Sequence, residues 1–237
     1  MPRTVFFLAG QSYPDDRSVE SALRDVLVDA QTQFVTQAEM QLRCGLHAPP
    51  ASVEERVALL HRAVPADQRR QEVILAGRSA GARAVTLFAC LRPVSAVICL
   101  SYPFREPGLL LEPERFAHLA TITTPTLIVQ GTEDPYGGLE ITETYRLSAE
   151  VRLRFCGGGH ITEPGRAPVR DLIAEFARGG WRAPPPPDPG FDEAFYLERN
   201  PDVARAVANG ELASGQDHHR RWGREEGRVW RVRPDLP

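Results

Sequence analysis

Six short runs of apolar, β-branched and aromatic residues recur along the chain: Thr4–Ala9, Gln33–Gln37, Glu72–Ala76, Ser95–Ser101, Thr126–Gln130 and Val151–Cys156. Helical patterns separate most of them. A strand that is apolar nearly throughout is buried on both faces, and a helix between successive strands supplies the crossover that parallel pairing requires. The pattern predicts an α/β core, a doubly wound and mostly parallel sheet flanked by helices. It leaves a late antiparallel strand pair open.

The helices follow from spacing. Val19–Ala30 puts Val19, Leu23, Val26 and Leu27 on one face, and Val53–Val64 repeats the pattern through Val53, Val57, Leu60 and Val64. Ser52 is placed to cap the second, with Glu54 and Glu55 in the first turn, where the helix dipole favours acids. Ala80–Leu91 and Pro168–Arg178 complete the series.

Composition breaks at Ala183-Pro-Pro-Pro-Pro-Asp-Pro-Gly190, a stretch with little capacity for helix or ladder. It divides the chain into a main domain at 1–182, a Pro-rich linker at 183–190 and a small helical module at 191–237, with a helix at Asp202–Ala208. So short a module is expected to bury Phe191, Phe195, Tyr196, Trp222 and Trp230 against the main domain, a protein partner or a second copy.

The net charge of −3 over 237 residues offers no concentrated basic surface, which argues against a nucleic-acid partner. All 28 basic residues are arginine, which excludes lysine chemistry. No stretch approaches the ~20 apolar residues of a membrane span, and Thr4–Ala9 is too short for a signal peptide. A cytoplasmic location is the resulting expectation. Cys44, Cys90, Cys99 and Cys156 lack the close pairing of a zinc or redox motif, so no metal site is expected.

The sharpest local signal is the strand Glu72-Val-Ile-Leu-Ala leading through Gly77-Arg78-Ser79-Ala80-Gly81 into a helix-forming segment. Gly-x-Ser-x-Gly in that setting is a nucleophile elbow, its glycines relieving the crowding of an abrupt strand-to-helix turn. The bland alternative is a tight turn with no chemistry. Strand before and helix after favour the nucleophile.

A serine nucleophile needs a base and an orienting acid, which follow an elbow serine in the order acid, then histidine. Beyond the strand Thr126–Gln130, Gly131-Thr-Glu133-Asp134-Pro135 places carboxylates where ligands gather in open α/β sheets. Asp134 is the candidate acid, with Glu133 as the alternative. After the last strand, Cys156-Gly-Gly-Gly-His160 puts a histidine on a flexible glycine loop, and His160 is the candidate base. His47, His61 and His118 precede the acid, and His218 and His219 lie past the linker; these read as structural or solvated. The oxyanion that acyl transfer generates needs N–H donors, for which Ala80 and, after the first strand, the Gln11 amide are candidates.

These residues resemble a family of small, lidless α/β hydrolases related to the dienelactone-hydrolase group. The likeness covers about Thr4 to Phe176. It rests on Ala9-Gly10-Gln11, Gly77-Arg-Ser-Ala-Gly81, Leu100-Ser-Tyr-Pro-Phe104, Leu127-Ile-Val-Gln-Gly-Thr-Glu-Asp-Pro135 and Gly157-Gly-Gly-His160. It implies an α/β-hydrolase fold with Ser79, Asp134 and His160 as a triad, whose chemistry requires no metal or organic cofactor. Ala9 departs from the histidine often found before the glycine, which bears on the oxyanion loop. The tail, with Phe191-Asp-x-x-Phe-Tyr-Leu-x-x-Asn-Pro-Asp-Val-Ala204 and Trp222-Gly-Arg-Glu-Glu-Gly227, resembles modules that accompany bacterial glycosyltransferases. That likeness suggests a bacterial source.

The leading expectation is hydrolysis of an ester or thioester through an acyl-enzyme. The alternatives are acyl transfer to an alcohol or amine by the same triad, and a non-catalytic scaffold that docks a partner through 191–237. The substrate pocket is expected to draw on Arg78, Tyr102, Phe104, Arg105 and Tyr136. The two arginines either favour an acidic substrate or are solvated.

Overall fold

Every predicted run forms a strand, and all six pair in parallel in one sheet; the late antiparallel pairing left open by the sequence is found as an isolated bridge between Phe191 and Val232 and not as a strand pair of the sheet. The computed structural model describes residues 1–12, 17–68, 71–160, 162–180, 190–208, 212, 214–224 and 226–232. Its strands are β1 (Arg3–Leu8), β2 (Thr32–Val35), β3 (Glu72–Arg78), β4 (Ala96–Leu100), β5 (Thr126–Gly131) and β6 (Val151–Cys156). They lie in the order β2-β1-β3-β4-β5-β6. The order reverses between β1 and β3, so the connections leaving these neighbours run to opposite sides and open a crevice at their carboxyl ends.

Among the described residues six α-helices accompany the sheet: α1 (Arg17–Leu27), α2 (Gln37–Arg43), α3 (Val53–Ala63), α4 (Ala80–Leu91), α5 (Ile141–Thr144) and α6 (Val169–Glu175). Strand alternation sorts the core into two layers. Val5, Phe7, Ile74, Ala76, Ile98 and Leu100 pack with Leu23 of α1 and Ile173 of α6. Phe6, Leu8, Val73, Leu75, Val97 and Cys99 pack with Met40, Leu59, Leu60 and Phe88 of α2, α3 and α4. Ser52 caps α3 as expected, its side chain accepting the Glu55 N–H at 3.1 Å.

Helix α2 was not anticipated. Its start fell inside the apolar run Gln33–Gln37, yet Thr36 and Glu39 form a capping box in which each side chain accepts the other's backbone N–H. That pair ends β2 at Val35 and turns Gln37 into the first helical residue.

The tail contains α7 (Glu193–Arg199), α8 (Pro201–Ala208) and α9 (Gly215–His218) around a small core of Phe191, Tyr196 and Val203. Trp222 and Trp230 are 43% and 44% exposed on this chain. An ion pair between Arg154 of β6 and Asp217, at 3.9 Å, faces the tail toward the sheet's edge strand. A cavity of about 490 Å³ between them is lined by Arg152, Phe155, Leu172, Leu212 and Trp222 among others. Of the predicted linker, 183–189 lies outside the described residues.

His118, one of the histidines read as structural, is half-buried with Nε2 at 2.9 Å from Thr86 Oγ1 and 3.4 Å from the Tyr102 hydroxyl. The Thr86 hydroxyl is directed at the Ala82 and Arg83 carbonyls, so it accepts from a neutral Nε2–H. Burial, and secondarily the charge of Arg83, push the His118 pKa down from 6.5 to about 4. The unfolded chain therefore takes up a proton that the folded one refuses. Stability is full above the unfolded value of 6.5 and falls as the pH drops toward 4. Urea midpoints measured across that window should decline for the parent protein and decline less for His118→Gln, which keeps a donor toward Thr86.

Candidate active site

The chain passes from β3 to α4 within one residue. Ser79 sits between them with φ 49° and ψ −119°, a left-handed conformation that costs a non-glycine residue about 1–3 kcal/mol. Two glycines make the turn possible. A Cβ at Gly77 would lie 2.5 Å from the Gly81 carbonyl carbon and oxygen, and one at Gly81 would lie 2.2 Å from the Leu8 carbonyl oxygen. With no side chain at either position, α4 starts directly against the end of β1. The Ser79 N–H donates to the Leu100 carbonyl at 3.0 Å, which anchors the turn to β4. Ala80 opens the helix, so its N–H has no carbonyl within α4 to reach.

Asp134 and His160 come from the loops after β5 and β6. Those loops continue the strand pairing, with the Thr132 and Glu133 N–H groups donating to the Cys156 and Gly158 carbonyls at 2.9 Å each. Gly131 permits the overlap, since a Cβ there would meet the Gly159 oxygen at 2.2 Å. The result is a continuous hydrogen-bonded chain. Asp134 Oδ2 and Oδ1 lie 2.8 and 3.0 Å from His160 Nδ1, and His160 Nε2 lies 3.0 Å from Ser79 Oγ. Asp134 also accepts from Gln130 Nε2 at 2.8 Å and from the Tyr136 N–H at 2.9 Å. Surrounded by donors, the carboxylate assigns the imidazole proton to Nδ1 and leaves Nε2 to accept from the serine. The Asp134 side chain is fully buried and that of His160 is 20% exposed.

The glycine loop is held more firmly than its composition suggests. Beyond Glu133, Arg78 Nη2 donates to the His160 carbonyl at 3.2 Å, and Thr162 Oγ1 pairs with Ser101 Oγ at 2.8 Å. Glu133 is exposed, and of the two candidate acids it is Asp134 that lies against His160.

Several expected pocket residues have other places. Tyr102 and Phe104 are fully buried: their rings pack 4.8 Å apart, and the Tyr102 hydroxyl donates to the Arg115 carbonyl at 2.5 Å. They belong to the core. Arg78 is 8% exposed and faces the His160 backbone, because it shares the strand parity of Ile74 and Ala76. Arg105 braces the acid's loop through the Pro135 carbonyl at 3.1 Å and Glu140 at 2.9 Å. Tyr136, half-buried, lays its ring 4.3 Å from that of His160. Gln11 is exposed in the turn after β1. Among the described residues no cluster of three or more His, Cys, Asp or Glu side chains could hold a metal ion, and no helix is long and apolar enough to cross a membrane.

The sequence matches the alpha/beta hydrolase domain family over residues 27–167, more than half of the chain. The chain belongs to that family. No curated protein matches the sequence. The fold of this α/β hydrolase-family protein is similar to that of a protein of the alpha/beta superfamily from Xanthomonas campestris pv. campestris (TM-score 0.55, 19% identity, 76% of this chain and 99% of that one). It is also similar to an alpha-beta serine hydrolase homologue from Coxiella burnetii (TM-score 0.55, 19% identity, 73% and 84%). A third similar structure is carboxylesterase CesB from Bacillus subtilis (TM-score 0.50, 12% identity, 76% and 85%). At these identities the likeness is one of fold.

Sequence reasoning passed over Gln130 of this α/β hydrolase-family protein as a site residue. The available signal was an amide closing an otherwise apolar strand. Gln130 is fully buried; its Oε1 accepts the Tyr102 N–H at 2.8 Å, and its Nε2 reaches Asp134 and the Gly137 carbonyl at 2.8 Å each. Gln130→Leu would leave the Tyr102 N–H unpaired and take a donor from a buried carboxylate. Urea denaturation should show a loss of about 1–3 kcal/mol.

Proposed function

We propose that the protein is a serine hydrolase that cleaves an ester or thioester through an acyl-enzyme on Ser79. The observation that carries this reading is the unbroken hydrogen-bond chain from Ser79 Oγ through His160 to Asp134, with the serine at a strained turn and reachable from solvent. Membership of the alpha/beta hydrolase family supports it independently.

In this reading His160 Nε2 takes the proton of Ser79 as Oγ attacks the acyl carbon. Asp134, already accepting the Nδ1–H, stabilises the imidazolium that forms and keeps the ring from rotating. The carbonyl oxygen, now an oxyanion, accepts from the N–H of Ala80 at the positive end of α4 and from the N–H of Gln11. The imidazolium then protonates the leaving alcohol or thiol. Water, deprotonated by the same histidine, attacks the acyl-enzyme and releases the acid. Tyr136, whose ring lies tilted against that of His160, forms one wall of the substrate approach. Residues 1–182 carry this chemistry and 191–237 are an appended helical module.

A fluorophosphonate probe and a short-chain p-nitrophenyl ester test the proposal together. The folded protein should label at one serine and turn over the ester. Ser79→Ala should abolish both, and Asp134→Asn should lower kcat by about 10⁴-fold by favouring the wrong tautomer. Labelling that survives Ser79→Ala, or a folded parent protein that never labels, contradicts the assignment.

A further inference from the structure

Two side chains outside the hydrogen-bonded chain of the site converge on the turn after β1. Arg56 of α3, 3% exposed, donates from Nη2 to the Gly10 carbonyl at 3.1 Å and from Nε to the Ala9 carbonyl at 3.4 Å, while its Nη1 reaches the Ser52 carbonyl at 3.0 Å. Gln37 of α2, fully buried, accepts the Ala9 N–H on its Oε1 at 3.2 Å. Together they grip three consecutive peptide units, Leu8–Ala9, Ala9–Gly10 and Gly10–Gln11.

The consequence follows from peptide geometry. In a planar trans peptide the C=O and the N–H of the same unit point in opposite directions. Holding the Gly10 carbonyl on the guanidinium therefore turns the Gln11 N–H away from Arg56, toward the exposed side of the turn where Gln11 lies. The same turn abuts the nucleophile's helix, since the Ala9 oxygen would be 2.7 Å from a Cβ at Gly81. Arginine suits the task because its planar fork offers several donors in a fixed geometry, whereas a lysine ammonium is a point charge without that fork.

We infer that Arg56, assisted by Gln37, is a positioning residue that orients the Gln11 amide as the second oxyanion donor. The inference rests on the serine-hydrolase reading above and adds to it the buried device that holds the oxyanion loop. Burial draws the Arg56 pKa below its ordinary value, partly offset by Glu55, yet a guanidinium remains charged. It thus also places a positive charge behind the loop.

The test compares Arg56→Lys and Arg56→Met with the parent protein. Folding is checked by circular dichroism and thermal melting, kcat and KM are measured on a short-chain p-nitrophenyl ester, and inhibition is measured with a trifluoromethyl ketone. The ketone forms a tetrahedral adduct with the serine and so reads the oxyanion donors directly. Arg56→Met should lower kcat by about 10²-fold, the effect of losing one oxyanion donor, with KM within about threefold. Arg56→Lys should recover part of the loss, and ketone affinity should fall in step with kcat/KM across the series. A folded Arg56→Met with near-parental kcat, or a variant that loses thermal stability while ketone affinity stays unchanged, overturns the inference. Should Arg56→Met not fold, Gln37→Leu frees the same turn from its other side, and full activity in that variant is equally fatal. A parent protein that neither labels with fluorophosphonate nor binds the ketone refutes the hydrolase reading itself, and the inference with it.

Discussion

Between Gly81 and the carbonyl of Leu8 there is room for a hydrogen but not for a methyl group, because a Cβ at Gly81 would stand 2.2 Å from that oxygen. The placement of Ser79 follows from this contact. It lets the first turn of α4 rest on the end of β1, which compresses the link from β3 to a single residue and drives Ser79 to a positive φ. The strain of about 1–3 kcal/mol persists because the helix cannot relax outward. Val85 and Phe88 are fully buried beneath it, among the strands and α3. The core thus fixes the serine's backbone, and the fixed backbone presents the hydroxyl at the sheet's edge.

Sheet order then decides which groups the serine meets. Because the connections diverge between β1 and β3, the turn after β1 lies beside the serine on one flank. β4 follows on the other flank, and beyond it β5 and β6 bring in the acid and the histidine. Loops at such an edge would ordinarily be mobile. Here each is tied by a side chain from a neighbouring element: Arg56 holds the turn after β1, Arg78 holds the His160 loop, and Arg105 holds the loop after Asp134. In all three a main-chain carbonyl accepts, and Arg105 also pairs with Glu140. A guanidinium suits such acceptors because its planar fork offers several donors in a fixed geometry.

The sheet was legible because strands buried on both faces must be apolar throughout, and the serine was legible because a glycine pair around it has meaning only between a strand and a helix. Asp134 and His160, which the structure brings into a hydrogen-bonded chain with Ser79, were singled out by their order along the chain. The pocket was not legible. Residue type could not reveal that the chain after β4 folds inward and places Tyr102 and Phe104 in the core. For Arg78 a signal did exist: parity with Ile74 and Ala76 assigns it to the face covered by α1 and α6. In α2, the run of apolar residues hid a capping box that Thr36 and Glu39 spelled out at the required spacing. Glycine content likewise misled about the His160 loop, whose restraint comes from partners distant in sequence.

Gln130 shows why the acid and the core cannot be treated separately. Its carbonyl accepts from the Tyr102 N–H, while its amide nitrogen reaches Asp134 and Gly137. Rotating the amide to improve one contact would present an oxygen to a carboxylate and a nitrogen to an N–H. Neither arrangement can bond, so the orientation is determined from both ends. Tyr102 is fixed in turn by its hydroxyl, which donates to the Arg115 carbonyl and lies near His118. The orientation of Asp134 toward His160 therefore rests on a buried polar network that runs through the chain segment from Tyr102 to Arg115. Fully satisfied networks of this kind rigidify what they hold, and partly satisfied ones are costly. The acid is thus positioned by the same packing that closes the core beneath it.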